Sequence, residues 1–317
     1  MSRIYDVLIL GGGPGGYTAA LYAARAGLSA LVLERMAAGG QMALTHQVDN
    51  YPGFDEGIDG FTLGQKMQQG AQRWGAETVY ADVQSVELEG EIKKLHTDRG
   101  VYQGRTVILA TGANPRKLGL PMEKELTGRG VHYCAACDGM FYRNKTVVLV
   151  GGGNSAVADA LVLSRVAKKV ILVHRRDSLR ASKIYNEPLA QAQNLEIRWN
   201  SEVTALRHNG RLEGVVLQNR ITGEEEVVSC DGLFISVGRE PATALFRNLV
   251  ELDAAGYIVA GESTETSLPG VYAVGDVRTK AVRQIVTATA DGAVAAHKIE
   301  EYLASAVACC VMEKAVV

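Results

Sequence analysis

The run Ile4-Tyr5-Asp6-Val7-Leu8-Ile9-Leu10-Gly11-Gly12-Gly13-Pro14-Gly15-Gly16 decides how the first half of the chain folds. Its first seven residues are an apolar stretch of the kind that forms a strand buried on both faces of a parallel sheet. The glycines and proline then interrupt it, and the alanine-rich stretch from Tyr17 to Ala26 predicts a helix. Ala30 to Leu33 predicts a second strand, closed by Glu34. In Gly11-x-Gly13-x-x-Gly16 the first glycine permits a tight turn and the second lets backbone approach a pyrophosphate. The third allows the helix to pack closely on the strand. A helix start in this position offers N–H groups to the anion. Glu34 follows Gly11 by 23 residues, where a carboxylate accepts hydrogen bonds from an adenosine ribose.

The design recurs. Thr146 to Val150 reads as a strand, Gly151-Gly152-Gly153-Asn154-Ser155-Ala156 as the loop, and the segment to about Ala167 as a helix; Val170 to Val173 is the next strand. Alanine at the third position is a permitted variant of the glycine pattern. Here the second strand ends in His174-Arg175-Arg176, with Arg180 beyond it, and no carboxylate stands in the reader position. Guanidinium forks suit a phosphate dianion, which predicts NADP(H) rather than NAD(H) at this second cradle. Each unit is followed by a strand ending in a small-residue turn, Val107 to Gly112 in the first half and Leu233 to Gly238 in the second. Two β-α-β units of one design imply two dinucleotide sites.

Ala81 to Tyr102 and Glu202 to Val228 read as small antiparallel sheets, and the segments at Pro115 and Pro241 as crossings between domains. The piece from about Ala244 carries a strand, Val271 to Val274, then Gly275-Asp276 and a long helix from about Ile285 to Ser305. It is too short for a core of its own and is expected to complete the first domain. The expected division is 1–114 with 244–317 for one domain and 115–243 for the other.

Composition excludes several classes. Of 317 residues 47% are hydrophobic and 21% charged, which is globular rather than disordered. A net charge of -2 leaves no basic footprint for nucleic acid. Glycine is the outlier, 35 residues against a usual share of about 7%, and no G-x-y period accompanies it. Val7 to Ala24 has no formal charge over 18 residues, close to the lower limit of about 17 for a membrane span. Its glycine block makes it strand, turn and helix instead. The N-terminus runs directly into that strand without a signal-peptide pattern, so a cytoplasmic location is expected.

Among five cysteines, Cys134-Ala135-Ala136-Cys137 forms a C-x-x-C followed by Asp138-Gly139. Closely spaced thiols at a helix start can form an exchangeable disulfide. A structural zinc would need two further ligands, and neither a second C-x-x-C nor an H-x3-H occurs, so no metal is expected. Disulfide reduction consumes two electrons and needs protons, and a carboxyl within reach, Asp138, could protonate a leaving thiolate; a local turn hydrogen bond is the alternative for it. Cys230 reads as a packed core thiol. Cys309-Cys310, in the C-terminal segment, reads as a plain tail, with an auxiliary redox pair as the alternative.

Two nucleotide cradles, a C-x-x-C ahead of the second, and an HRR cluster together resemble bacterial low-molecular-weight thioredoxin reductases, from Asp6 to about Ala304. Gly39-Gly40-Gln41, Tyr51-Pro52-Gly53, Ala110 to Ala113, Gly128 to Arg143, Val274-Gly275-Asp276 and Arg283-Gln284 add to the likeness. The resemblance implies an α/β fold of two Rossmann-like, three-layer ββα domains, with an NADPH domain inserted into an FAD domain and able to swing. It implies FAD contacts at Gly11, Gly13, Pro14, Gly15, Gly16, Glu34, Arg35, Gly40, Gln41, Asn50, Val83, Ala113, Gly275, Asp276, Arg283, Gln284 and Ile285. NADPH contacts fall at Gly151, Gly153, Asn154, Ser155, Ala156, His174, Arg175, Arg176, Arg180 and Gly238. Catalysis falls to Cys134, Cys137 and Asp138, with Cys137 the flavin-proximal sulfur, and hydride passes from NADPH to FAD and electrons on to the disulfide and thioredoxin. A homodimer is implied too. Met140 departs from a position that is often aromatic, beside Phe141, where the partner would dock; Arg129 reads as a docking charge, with a solvated loop arginine as the alternative. The last ten residues, Ala308 to Val317, run past the family's usual end.

The alternatives are a reductase of this architecture for another thioredoxin-like or peroxidase-linked partner, and a flavin redox sensor without turnover. Intact Cys134, Cys137 and Asp138 beside a complete second cradle favour turnover. Replacing both Arg175 and Arg176 by alanine is expected to abolish the preference for NADPH over NADH. Equal kcat/KM ratios for the two nucleotides in wild type and variant would remove the assignment.

Overall fold

The computed structural model describes residues 3–45 and 47–314, with the side chains of 186 and 306–314 left aside. In chain order the strands and helices are β1 (Ile4–Leu10), α1 (Pro14–Arg25), β2 (Ala30–Glu34), α2 (Gly60–Gln72), β3 (Glu77–Tyr80), β4 (Val83–Glu87), β5 (Lys93–Thr97), β6 (Gly100–Leu109) and β7 (Ala113–Pro115). The middle of the chain forms β8 (Val131–His132), α3 (Ala135–Asp138), β9 (Thr146–Gly151), α4 (Asn154–Ser164), β10 (Lys169–Val173), α5 (Asn186–Gln191) and β11 (Leu195–Arg198). It continues with β12 (Ser201–His208), β13 (Leu212–Asn219), β14 (Glu225–Ser229), β15 (Gly232–Ser236) and β16 (Arg239–Pro241); β17 (Val271–Ala273) and α6 (Ile285–Lys314) close the chain. Two compact units result, Met1–Asn114 with Glu240–Val317, and Pro115–Arg239.

The first unit is built on a seven-stranded sheet ordered β3-β2-β1-β6-β5-β4, with β17 also beside β6. β1 alternates between its two faces. Val7 and Ile9 enter a core with Tyr17, Ala20 and Ala23 of α1 and Ala295 and Ile299 of α6. Leu8 and Leu10 enter the opposite core with Leu95, Phe246 and Ile258. A period of two with both faces covered is what a central parallel strand requires. β2, β6 and β17 run parallel to their neighbours β1 and β6, so their C-terminal ends lie along one edge. The stretch 81–102, expected as a separate small sheet, instead extends this one. β6 is ten residues long; Gln103 to Leu109 pair with β1, while its first half pairs antiparallel with β5. Its length lets one strand serve both neighbours.

The second unit has a five-stranded parallel sheet, β11-β10-β9-β15-β8, and a three-stranded antiparallel sheet, β12-β13-β14. One core lies between the two sheets, where Val148, Ile171 and Leu233 meet Val203, Leu212 and Val215. The other lies under α3 and α4, where Leu149, Leu172 and Phe234 meet Ala135, Ala160 and Leu163. These are the three layers of a ββα arrangement. α4 ends at Ser164 rather than near Ala167, and α6 runs to Lys314. The Cys309–Cys310 pair has side chains outside the described residues. No helix among the described residues is long and apolar enough to cross a membrane.

A buried ion cluster secures the turn after β17. Asp291 on α6 accepts Arg278 Nη2 at 2.7 Å, Lys280 Nζ at 2.7 Å and the Gly275 N–H at 2.8 Å. Burial disfavours the charged carboxylate, but the two cations outweigh it and hold the pKa below the usual carboxylate value. Replacing Asp291 by asparagine strands both cations and is expected to cost about 3–5 kcal/mol in equilibrium denaturation at neutral pH. Because the folded-state pKa is depressed, the wild-type advantage is present above the unfolded-state value of about 4. It is lost as pH falls through the lower folded value. An advantage that persists undiminished in strong acid would overturn this account.

Candidate active site

The first cradle forms where β1 hands over to α1. Gly11 has φ +110°, and a Cβ there would lie 2.5 Å from the Ala110 carbonyl oxygen; a Cβ on Gly16 would lie 2.0 Å from that of Gly11. Both positions therefore exclude any side chain. Gly13 is different in kind, since a Cβ there meets nothing within 4 Å. The space above it is open, and Gly13 also caps α1 without any side-chain hydrogen bond while Pro14 opens the helix. A helix start left free, beneath an open face that a larger residue would fill, fits an anionic pyrophosphate. Gly15 packs toward Ala288 and Val274, which brings α6 and the end of β17 against the same loop.

Glu34, at the end of β2, accepts the Gly12 N–H at 2.7 Å and the Met36 N–H at 3.0 Å. Its carboxylate thus shapes the cradle and retains lone pairs for a further donor. Arg35 beside it is exposed. Gly39 N–H donates to Gly12 O at 2.8 Å, and Gly40 comes alongside Gly13, away from its open face. Gln41 donates to Asn114 at 2.9 Å, next to Ala113, and Asn50 donates to Gln284 at 3.1 Å, next to Ile285. Ala81 N–H donates to Glu34 O, which sets Val83 close to the end of β2. Gly275, at φ +73°, turns the chain after β17. The Arg283 guanidinium lies 4.0 Å over the Tyr257 ring and reaches the Asp276 carbonyl at 3.4 Å. Among the residues expected around an FAD, Gly11 to Gly16, Glu34 and Gly275 thus lie at the C-terminal ends of the parallel strands β1, β2 and β17, where open α/β sheets bind ligands.

The second cradle repeats the sterics. A Cβ on Gly151 would lie 2.4 Å from that of Ala156 and 2.5 Å from Ser236 O, whereas Gly153 again faces nothing within 4 Å. Asn154 and Ser155, opening α4, are exposed. His174 is buried with its imidazole against Gly152, and its Nε2 has no partner among the described residues. Burial lowers its pKa, and Arg180 and Arg176 add to the shift. Arg175, Arg176 and Arg180 are exposed on the loop that folds back over the cradle. Arg180 N–H donates to Gly152 O at 2.8 Å and Ser182 N–H to Asn154 Oδ1 at 2.8 Å. Three exposed guanidinium groups on one loop beside an open cradle fit a phosphorylated nucleotide. Gly238 follows β15 with φ +112°.

Cys134 and Cys137 are joined as a disulfide. Cys134 caps α3, and its Sγ accepts the Cys137 N–H at 3.2 Å. Such a bond favours negative charge on that sulfur. Asp138 ends the helix. Its Oδ2 lies 2.9 Å from His132 Nδ1, and His132 Nε2 lies 2.6 Å from the Tyr142 hydroxyl. Neither His132 nor Tyr142 was marked by the sequence reading; a histidine two residues before the C-x-x-C was the available signal. Met140 and Phe141 are exposed just beyond, as is Arg129. Cys230 is buried, and burial, reinforced by Asp231, pushes its thiol up to about 12, so it stays protonated. No group of three or more metal-ligating side chains occurs among the described residues.

Residues 5–292 match the family model for pyridine nucleotide-disulphide oxidoreductases. A thioredoxin reductase of Listeria monocytogenes is 47% identical over 302 residues, covering 95% of this chain and 94% of its own length. That of Bacillus subtilis is 46% identical, covering 95% of each. The solved thioredoxin reductase of Streptococcus pyogenes superposes with a TM-score of 0.88 at 43% identity, covering 96% of this chain and 100% of its own. The chain belongs to the pyridine nucleotide-disulphide oxidoreductase family, and within it to the bacterial-type low-molecular-weight thioredoxin reductases.

The contrast between excluded and open glycines can be measured. Gly13 has ordinary extended backbone, φ -76° and ψ -177°, so Gly13→Val is expected to cost only the roughly 1 kcal/mol of a poorer N-cap. It should nevertheless purify with little FAD, read from its visible absorbance. Full FAD content in this variant would show that the open face is not the binding surface.

Proposed function

We propose that the chain is an NADPH-dependent thioredoxin reductase, with the unit Met1–Asn114 and Glu240–Val317 holding FAD and the unit Pro115–Arg239 holding NADPH. The observation that carries this is the Cys134–Cys137 disulfide at the start of α3, with Asp138 at the other end of the same turn. When bound, NADPH would supply hydride to FAD, and the reduced flavin would supply two electrons for that disulfide. Around them, Gly13 and Gly153 leave room for the pyrophosphates and Glu34 receives the adenosine ribose. The Arg175, Arg176 and Arg180 guanidiniums meet the 2′-phosphate. The disulfide takes up two electrons and two protons to become a dithiol, and Asp138 provides a proton to the sulfur that leaves. One of the two thiols then attacks the disulfide of thioredoxin, and the other resolves the mixed disulfide, regenerating Cys134–Cys137.

Exposed Met140, Phe141 and Arg129 offer the docking face for that partner. A homodimer belongs to the same reading and is supported by exposed apolar side chains on α1 and α6, Tyr22, Val286 and Val294. So does a cytoplasmic location, where thiols are kept reduced and a paired C-x-x-C serves exchange rather than structure.

NADPH oxidation by the FAD-loaded protein is expected to depend on added thioredoxin. Cys134→Ser and Cys137→Ser should each abolish that dependence, and Asp138→Asn should slow turnover by about 10²- to 10⁴-fold. Absence of thioredoxin-dependent turnover in the wild type would sink the proposal.

A further inference from the structure

Asp138 does not stand alone. Its Oδ2 lies 2.9 Å from His132 Nδ1, and His132 Nε2 lies 2.6 Å from the Tyr142 hydroxyl. His132 is 8% exposed and Tyr142 4%. Three aromatic contacts fix the two rings. His132 stacks on Phe234 with centroids 5.2 Å apart, and Tyr142 meets both His132 and Phe234 edge-on, at 5.2 and 5.3 Å. Tyr142 has no room to retreat, because a Cβ on Gly232 would already lie 2.4 Å from its ring.

The donor inventory limits where the protons along this chain can sit. Burial pushes the Tyr142 hydroxyl up to about 12, with Asp138 and Asp231 adding to it against Arg211, so the hydroxyl keeps its proton. A phenol can donate to His132 Nε2 or accept from it; donation leaves the ring proton on Nδ1. That N–H points at Asp138 Oδ2. An oxygen that accepts this bond is committed as an acceptor, so a transferable proton on the carboxyl resides on Oδ1.

We infer that His132 is a positioning residue for the disulfide chemistry: it commits Asp138 Oδ2, leaves Oδ1 as the proton-transferring atom, and is itself held in the required tautomer by Tyr142. The inference rests on the proton-donor reading of Asp138. When the Cys134–Cys137 bond breaks on receiving the two electrons from NADPH, the Oδ1 proton passes to the departing thiolate. The remaining carboxylate keeps its bond from Nδ1–H. When the dithiol is oxidised by its protein substrate, a thiol proton returns to Oδ1. The second thiolate takes its proton from solvent, and the reduced substrate takes one proton from the other thiol and one from solvent, so atoms and charges balance over the cycle while His132 gains and loses no proton. The arrangement is the one by which a buried third group fixes the tautomer and orientation of an acid–base partner.

The test uses the FAD-loaded full chain. His132→Phe preserves the ring and its stack on Phe234 but removes both nitrogens, and His132→Asn places an amide N–H near the position of Nδ1. In His132→Phe, thioredoxin-dependent kcat is expected to fall about 10- to 100-fold, with KM for thioredoxin within about twofold. Stopped-flow reduction of the bound FAD by NADPH, without thioredoxin, should stay at the wild-type rate. His132→Asn should recover most of the lost kcat, because the donor to Oδ2 returns. A His132→Phe enzyme with wild-type kcat, beside an impaired Asp138→Asn, would overturn the inference and leave the proton-donor reading standing. An unimpaired Asp138→Asn would remove both. Equal losses in the phenylalanine and asparagine variants would reduce His132 to packing and overturn the donor argument. Should the phenylalanine variant fail to fold, ¹⁵N spectra of the wild-type His132 ring decide independently of activity. A protonated Nδ1 with unprotonated Nε2 supports the assignment, and the opposite tautomer overturns it.

Discussion

The whole arrangement depends on a missing Cβ. At Gly16 any side chain would begin 2.0 Å from the Gly11 carbonyl, and at Gly151 any side chain would collide with Ala156 and Ser236. Without these two glycines, α1 and α4 could not start against the ends of β1 and β9. The helix starts would then stand away from the sheet edge, and the loop amides would no longer line a shallow cradle. Close approach also explains the composition of the cores. α1 contributes Ala19, Ala20 and Ala23 beneath β1, with Tyr17 as its one large buried residue in that core, because a helix drawn this near its strand leaves little space at most of its inward positions.

With one scaffold used twice, the two sites differ in what stands at the end of the second strand. After β2 a carboxylate bonds to two amides of the loop, so Glu34 both stabilises the cradle and colours it negative. After β10 the corresponding residue is a buried His174 packed on Gly152, with arginines directly behind it. A neutral imidazole can sit under a phosphate-binding loop at a lower desolvation cost than a charged group, and the guanidiniums outside supply the positive charge. The two cradles thus share one backbone design and differ in the charge carried at and just beyond the end of the second strand.

Local pattern made much of this legible. The alternation in β1, the glycine spacing, Glu34, the arginine cluster and the C-x-x-C are all carried by residues near one another in the chain, where sequence periodicity and turn chemistry speak directly. What could not be read depends on distant pairings. β8 is two residues long and exists only because β15, a hundred residues later, pairs with it at Val131 and His132. That pairing seats His132 on Phe234 and turns it toward Asp138. The joining of β5 to the main sheet was hidden for a similar reason. Nothing in Gly100 to Leu109 announces that one strand will have antiparallel partners over its first half and parallel ones over its second.

The same distant pairing explains how so short a helix can hold a redox centre. Four residues, Ala135 to Asp138, lie far below the length at which a helix is stable by itself. Its geometry must therefore be imposed from its ends. At the start, the disulfide and the Cys137 N–H bond to Cys134 Sγ fix the first turn. At the finish, Asp138 is tied through His132 to β8 and through Tyr142 to the turn that follows. Reduction cuts the disulfide but leaves the other ties intact, and a thiolate on Cys134 would accept the Cys137 N–H more strongly than a disulfide sulfur does. The turn that presents the sulfurs can in this way keep its shape through both oxidation states, because its support comes mainly from groups that the electron transfer does not alter.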